Sequence, residues 1–99
     1  MMKIVAVTAC PTGIAHTYMA ADVLVKAASK YNLKIKVETQ GAMGIENILS
    51  SQEISQADKI LIVSDIEIAQ GERFNNYQII KVSIEDVLRN PDRVLHLHC

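Results

Sequence analysis

One of the two cysteines, Cys10, stands at the carboxyl end of a predicted strand, where a nucleophilic thiol is well placed. Residues 3–9 before it are mostly apolar, as in a buried strand, and residues 15–30 after it have helical spacing. The N–H groups and the dipole at the start of that helix favour an anion, and they favour thiolate over thiol. We therefore expect Cys10 to be nucleophilic and suited to carrying a phosphoryl group on sulfur. The alternative is that Cys10 packs as a small apolar side chain, as buried cysteines commonly do.

The turn after Cys10 has the composition of a phosphate-binding loop. Its residues are Pro11, Thr12, Gly13, Ile14, Ala15, His16 and Thr17. Gly13 allows a positive φ or a close approach of the backbone to an anion. Cysteine phosphatases of the C-x5-R-S/T type place an arginine where this chain has His16, which either contacts phosphate or caps and packs the helix. Because arginine clamps phosphate and stabilises transition-state charge, its replacement predicts a loop that holds phosphate but hydrolyses it poorly.

Two further groups of residues follow predicted strands and are expected at the same edge of the sheet. Gln40 and Gly41 end the second strand, which right-handed crossovers place beside the first. They are candidates for a second wall of the phosphate site, or they are simply turn residues. Asp65 and Glu67 follow the third strand. An acid there could orient an incoming group, but because an acid repels phosphate we expect both to be solvated loop charges.

Strand and helix patterns alternate along the chain, which predicts an α/β fold. Strands are expected at 3–9, 33–38, 59–64 and 78–82, and helices at 15–30, from a capping box at 50–53 to about 56, and from Ser83 through Arg89, with a helical turn at 45–49. The strand at 33–38 alternates apolar and charged residues, which is typical of an edge strand protected by lysines. The prediction is one three-layer, Rossmann-like domain, residues 1–99, in which helices flank a four-stranded parallel sheet of order 2-1-3-4.

The composition excludes several classes of protein. Ten basic and eleven acidic residues, without a basic run and without tryptophan, argue against nucleic-acid binding. No apolar run has the length of a membrane span or the form of a signal peptide, so we expect a cytoplasmic protein without direct membrane insertion. Pro91 is expected to end the last helix, and residues 94–99 alternate like an extended segment. We expect neither a cofactor nor a metal site, although His96, His98 and Cys99 are metal-ligating residue types.

The sequence VTACPTGIAHTYMAA at 7–21, together with VETQG at 37–41, resembles the fructose-type EIIB components of the bacterial phosphoenolpyruvate-dependent sugar phosphotransferase system. The resemblance runs over essentially the whole chain. It implies that Cys10 takes a phosphoryl group from a phosphohistidine of an EIIA partner and gives it to a sugar held by the membrane-embedded EIIC partner. The protein would then lie in the cytoplasm, at the membrane through EIIC. Fructose is the implied sugar, although mannose or a related hexose derivative fits the residues equally well, and both a free subunit and a domain of a fused polypeptide would have this sequence.

Two other functions are compatible with the residues alone. One is a hydrolase like the low-molecular-weight phosphatases, against which the histidine at position 16 counts. The other is a non-catalytic anion-sensing or regulatory module with the same loop. On the carrier hypothesis two partners must reach the sulfur in turn, so we expect an exposed apolar rim around Cys10, formed by Ile14, Met43 and Phe74.

Overall fold

The structure is a computed structural model that describes residues 2–12 and 14–99. Gly13 of the predicted phosphate loop lies outside the described residues. The strands are β1 Lys3–Ala9, β2 Lys34–Gly41, β3 Gly44–Glu46, β4 Lys59–Ser64 and β5 Ile80–Val82. The helices are α1 Ala15–Lys30, α2 Ser51–Gln56, α3 Ile84–Arg89 and α4 Pro91–His98, with a 3-10 helix at Gly71–Phe74.

The predicted α/β fold is confirmed, with one strand more than expected. The sheet order is β3-β2-β1-β4-β5. The four strands β2, β1, β4 and β5 are parallel and stand in the predicted order, and β3 pairs antiparallel with β2. Strand β1 is therefore central, with β2 and β4 on either side, and Cys10 follows it at the carboxyl edge.

Helices cover both faces of the sheet. Alternate side chains of β1 point to opposite faces, and the apolar residues on each face are buried under helices. Ile4 and Ala6 are buried against α1, α3 and α4. Val5 and Val7 are buried on the other face, against Ile54 of α2 and the 3-10 helix. The buried strand predicted at 3–9 is thus covered on two sides, as its apolar sequence requires.

The edge position predicted for the second strand is wrong, because the chain turns back and adds β3 outside β2. Gly44, with φ +88°, follows a two-residue turn and allows this reversal. Strand β3 also takes up residues 45 and 46 of the helical turn expected at 45–49, and residues 47–49 are not helical. The charges that suggested an edge have partners within the fold: Lys36 lies 2.9 Å from Glu53 of α2. The hydrogen bond from Lys36, helped by the Ser50 N–H, lowers the pKa of Glu53 to about 2.

The extended tail predicted at 94–99 is also wrong, because residues 91–98 form α4. Pro91 does not only follow α3; it is the first residue of the next helix, where its fixed φ and missing N–H are tolerated. Asn90 caps this helix by accepting a hydrogen bond from the backbone N–H of Arg93 at 3.1 Å. Val94 and Leu95 are buried against the core, which holds α4 in place.

A buried ion pair holds together the loops at the carboxyl edge, on the α2 face of the sheet. The Glu38 carboxylate is fully buried, and the Arg73 guanidinium donates to both of its oxygens at 2.9 Å. The Leu49 N–H and the Gln40 amide donate to the same carboxylate, each at 2.8 Å. Burial raises the pKa of Glu38, but the hydrogen bonds from Arg73, Leu49 and Gln40 outweigh it and bring the pKa below its ordinary value. The loop after β4 is held as well, since Gln40 pairs with the backbone N–H and carbonyl of Ala69 at 2.8 and 3.0 Å.

Removing one partner of this buried pair is expected to cost far more than removing both. Arg73→Met leaves a buried carboxylate without its counter-ion, and we expect a loss of about 3 kcal/mol in the free energy of unfolding. The double variant Glu38→Leu/Arg73→Met should lose less than Arg73→Met alone. Urea denaturation measures both, with Lys26→Met of the exposed Asp22–Lys26 pair as the control, expected to change stability by about 0.5 kcal/mol or less. A cost for Arg73→Met as small as that of the control would contradict the assignment.

The lowered pKa of Glu38 predicts a specific pH dependence of stability. A carboxyl whose pKa is lower in the folded than in the unfolded state stabilises the fold at pH values above its unfolded-state pKa. This contribution is lost as the pH falls through its folded-state pKa. The difference in unfolding free energy between the wild type and Glu38→Gln should therefore narrow as the pH falls from about 5 to below about 4. Denaturation curves at a series of pH values test this, and a difference that stays constant over the range would refute it.

Candidate functional site

The Cys10 thiol lies at the carboxyl end of β1, in contact with two hydroxyl groups. The side chain is only 7% exposed, and it is not in a disulfide. Thr17 donates a hydrogen bond from Oγ1 to Sγ at 3.2 Å. The Oγ1 of Thr12 lies 3.3 Å from Sγ, where either atom can donate. Because an O–H donor stabilises a neighbouring anion, these contacts favour the thiolate and, equally, an anionic group carried on the sulfur.

Thr17 also fixes the first turn of α1 against β1. Its backbone carbonyl accepts a hydrogen bond from Oγ1 of Thr8 at 3.0 Å, and both side chains are fully buried. The helix begins at Ala15, and Ile14 at the N-cap position has no polar group with which to cap the first N–H groups. The first turn also lacks an acidic residue. Neither a capping side chain nor an acidic one offsets the positive end of α1, which therefore favours an anion near Cys10, as the sequence predicts.

A pocket of about 590 Å³ opens beside the sulfur. Its lining residues are Cys10, Pro11, Thr12 and His16 from the predicted loop, Asp65 after β4, and Ile84, Glu85, Leu88 and Arg89 of α3. The structure thus brings together four residues of the predicted Cys10 loop and Asp65, which the sequence places at the same edge of the sheet. It adds a wall from α3 that no local pattern indicated, because α3 reaches the site only by packing back against α1 after the last strand, β5. Asp65 is exposed, as expected of a loop charge, but it faces the same pocket as Cys10.

Gln40 and Gly41 stand apart from this pocket among the residues that the structure describes. Gln40 lies opposite Ala9 in the parallel register of β1 and β2. Its side chain forms hydrogen bonds with Ala69 and Glu38 on the α2 face. Cys10 packs with the core cluster on the α1 face. Contact of Gln40 or Gly41 with a phosphate on Cys10 therefore stays a prediction, whereas the role of Gln40 in holding the loop at Ala69 is seen directly.

Two of the three side chains expected to form an apolar rim are exposed, and their place around Cys10 stays a prediction. Ile14 is 62% exposed and Met43 is 74% exposed. The backbone N–H of Met43 donates to the Tyr18 hydroxyl at 3.4 Å, which ties the turn between β2 and β3 to α1. The expectation for Phe74 is wrong: it is 4% exposed and packs in the core under the sheet. The 3-10 helix turns its ring inward, with the Arg73 guanidinium 5.0 Å from the ring centre.

The histidines of α4 face in different directions. His96 lines a pocket with Cys99, whereas His98 lines another with Arg89 and Asp86. Within residues 2–12 and 14–99, no group of three His, Cys, Asp or Glu side chains could hold a metal ion. Burial raises the pKa of the Cys99 thiol, which lowers the fraction of it present as the nucleophilic thiolate. The described helices include none with the length and apolar character needed to cross a membrane.

Comparison with known proteins gives a consistent assignment. Residues 5–97 match the family described as "PTS system, Lactose/Cellobiose specific IIB subunit". The chain is 45% identical over 95 residues to "PTS system fructose-like EIIB component 2" of Escherichia coli (strain K12), covering 96% of this chain and 90% of that protein. It is 44% identical over 93 residues to "PTS system fructose-specific EIIABC component" of Bacillus subtilis (strain 168), of which it covers 14%.

A solved structure agrees in fold as well as in sequence. The crystal structure of a "Predicted Fructose Specific IIB" from Escherichia coli superposes with a TM-score of 0.91 at 45% identity. The alignment covers 99% of this chain and 87% of that one. The family match and these relatives cover nearly all of the sequence, including the Cys10 loop. The chain therefore belongs to the fructose-type EIIB components of the phosphoenolpyruvate-dependent sugar phosphotransferase system, which are phosphotransferase components acting in sugar uptake.

Proposed function

We propose that Cys10 carries the phosphoryl group, which it accepts from a phosphohistidine of an EIIA partner and passes to a sugar bound by a membrane EIIC partner. The observation that carries this proposal is the position of the Cys10 sulfur, 3.2 Å from the Thr17 hydroxyl at the start of α1 and open to a pocket of about 590 Å³. Fructose is the proposed sugar, because the relatives' names give fructose. The family description names lactose and cellobiose instead.

Acceptance of the group is a substitution at phosphorus. The sulfur of Cys10 attacks, an S–P bond forms, and the N–P bond of the phosphohistidine breaks. The imidazole nitrogen leaves with the electron pair and takes up the proton that the thiol has given. Transfer to the sugar repeats the substitution: a sugar hydroxyl attacks, an O–P bond forms, the S–P bond breaks, and the hydroxyl proton goes to the sulfur or to solvent.

The loop 11–17 cradles the phosphoryl group in this proposal. Thr12 and Thr17 supply hydroxyl donors, and backbone N–H groups at the start of α1 supply the remaining contacts, as in anion-binding nests. Histidine at position 16 leaves the loop without an arginine clamp, so attack by water is not assisted as it is in cysteine phosphatases. The group is therefore held until a partner brings an acceptor.

The exposed rim suits two successive partners. Ile14 stands at the start of α1 beside the Cys10 loop, and Met43 lies in the turn between β2 and β3 that Tyr18 ties to α1; both are exposed apolar side chains. A phosphohistidine and a sugar must each reach the same sulfur, so EIIA and EIIC use overlapping parts of this rim in turn. Residues 1–99 then act as one EIIB domain in the cytoplasm, brought to the membrane by EIIC.

The Thr17 hydroxyl is expected to control the reactivity of Cys10. Thr17→Val keeps the shape of the side chain but removes the donor to sulfur, and we expect alkylation of Cys10 by iodoacetamide to slow about tenfold. Thr17→Ser should stay within about twofold of the wild type, since it keeps the hydroxyl. A Cys99→Ser background makes the measurement specific to Cys10.

Thr39→Val is the matched control for that experiment. Thr39 is also buried, but among the described residues its hydroxyl has no hydrogen-bond partner. Its replacement should leave the alkylation rate unchanged and should not lower the free energy of unfolding. Equal rates for the Thr17→Val and Thr39→Val variants would contradict the role given to Thr17.

The carrier function itself is tested by phosphorylation in a reconstituted system. We expect incubation with phosphoenolpyruvate, the general phosphotransfer proteins and a fructose-type EIIA to add one phosphoryl group, mapped to Cys10 by tandem mass spectrometry. Cys10→Ser should abolish this adduct, and Cys99→Ser should retain it. Absence of an adduct with several competent EIIA donors would overturn the proposal in favour of an anion-sensing module.

A further inference from the structure

The pocket beside Cys10 has one wall that carries fixed charges. The loop contributes the Thr12 hydroxyl and the His16 imidazole beside Cys10, whereas the charged groups Asp65, Glu85 and Arg89 come from the end of β4 and from α3. Glu85 and Arg89 lie one turn apart on α3 and form an ion pair, with Nη2 2.7 Å from Oε1. Both side chains are largely exposed, so each stays hydrated and can respond to a new charge in the pocket.

A phosphoryl group on Cys10 changes the charge balance of this pocket. The group brings about −1.5 to −2 charges at neutral pH. Two carboxylates, of Asp65 and Glu85, then repel it, whereas the guanidinium of Arg89 attracts it. Together these three side chains carry one net negative charge, which opposes the phosphorylated state.

We propose that Asp65, Glu85 and Arg89 set the phosphoryl-transfer equilibrium of Cys10, the two acids destabilising phosphocysteine and Arg89 stabilising it. This inference rests on the carrier function proposed above. A carrier has to release the phosphoryl group as readily as it accepts it. An arginine within the loop would hold the group too firmly or assist water, whereas a guanidinium on α3, shared with Glu85, offers a weaker and adjustable attraction.

The predicted effects have opposite signs, which makes the inference testable. The full chain is mixed with phosphorylated EIIA, and the fraction of phosphocysteine at equilibrium gives the constant for transfer from EIIA. We expect Arg89→Gln to lower this constant about threefold to tenfold, and Glu85→Gln and Asp65→Asn to raise it by a similar factor. Arg89→Lys, which keeps the charge, should stay within about twofold of the wild type.

The matched control is the pair Asp22–Lys26 on α1, which has the same spacing and a similar exposure but lies outside the lining of this pocket. Asp22→Asn and Lys26→Gln should leave the constant within about twofold of the wild type. Added salt should shrink the shifts of the pocket variants, because the charges involved are exposed.

Two different results would overturn the inference, and they are distinguishable. If wild-type protein takes up no phosphoryl group on Cys10, the carrier function fails and this inference fails with it. If the wild type is phosphorylated but Arg89→Gln and Glu85→Gln shift the constant in the same direction, or no more than the α1 controls, the carrier function stands and the charged wall does not set the equilibrium.

Discussion

Two hydrogen bonds of Thr17 join the sulfur of Cys10, the first turn of α1 and the end of β1. The hydroxyl donates to the sulfur, and the backbone carbonyl accepts from Thr8. All three side chains are buried, so solvent does not compete for these contacts. This link sets the position of the thiol relative to the positive end of α1. It also sets the orientation of the loop and the place at which the pocket opens.

The Cys10 pocket and the ion pair that holds the neighbouring loops lie on opposite faces of the sheet. On the α1 face lie the sulfur and the pocket formed with α3. On the α2 face, Arg73 and Glu38 form the buried ion pair that holds the loops at the carboxyl edge. Gln40 extends this network to Ala69, which fixes the course of the loop after β4. In the proposed carrier function, the phosphoryl group would thus sit at an edge held by this network while the pocket beside it stays open.

The elements that depend on local sequence could be predicted. Strand β1 and helix α1 have the bounds that their apolar spacing indicates, and the capping box at Ser50 starts α2 as expected. The Cys10 loop was identifiable for the same reason, since thiol, hydroxyls and helix start are neighbours in the chain.

The errors come from residues whose partners are distant in sequence. The charges of β2 indicated an edge strand, but Glu38 is paired with Arg73, 35 residues away. Phe74 was expected on the rim, yet a 3-10 helix turns it into the core. Arg89 had no local signal, because only the packing of α3 against α1 brings it to the pocket beside Cys10. Pro91 follows the end of one helix and also begins the next. The second helix forms because the apolar residues Val94 and Leu95 pack against the core.

The proposed carrier function requires that phosphorus is bonded to the sulfur of Cys10 and leaves it for the sugar. Phosphorus NMR of the full chain after phosphorylation by EIIA, followed by addition of membranes with EIIC and fructose, measures both steps in one sample. We expect a resonance of sulfur-bonded phosphorus that then disappears as an equal amount of sugar phosphate forms. A signal from nitrogen-bonded phosphorus on this chain, or a sulfur-bonded signal that decays only to inorganic phosphate, would contradict it.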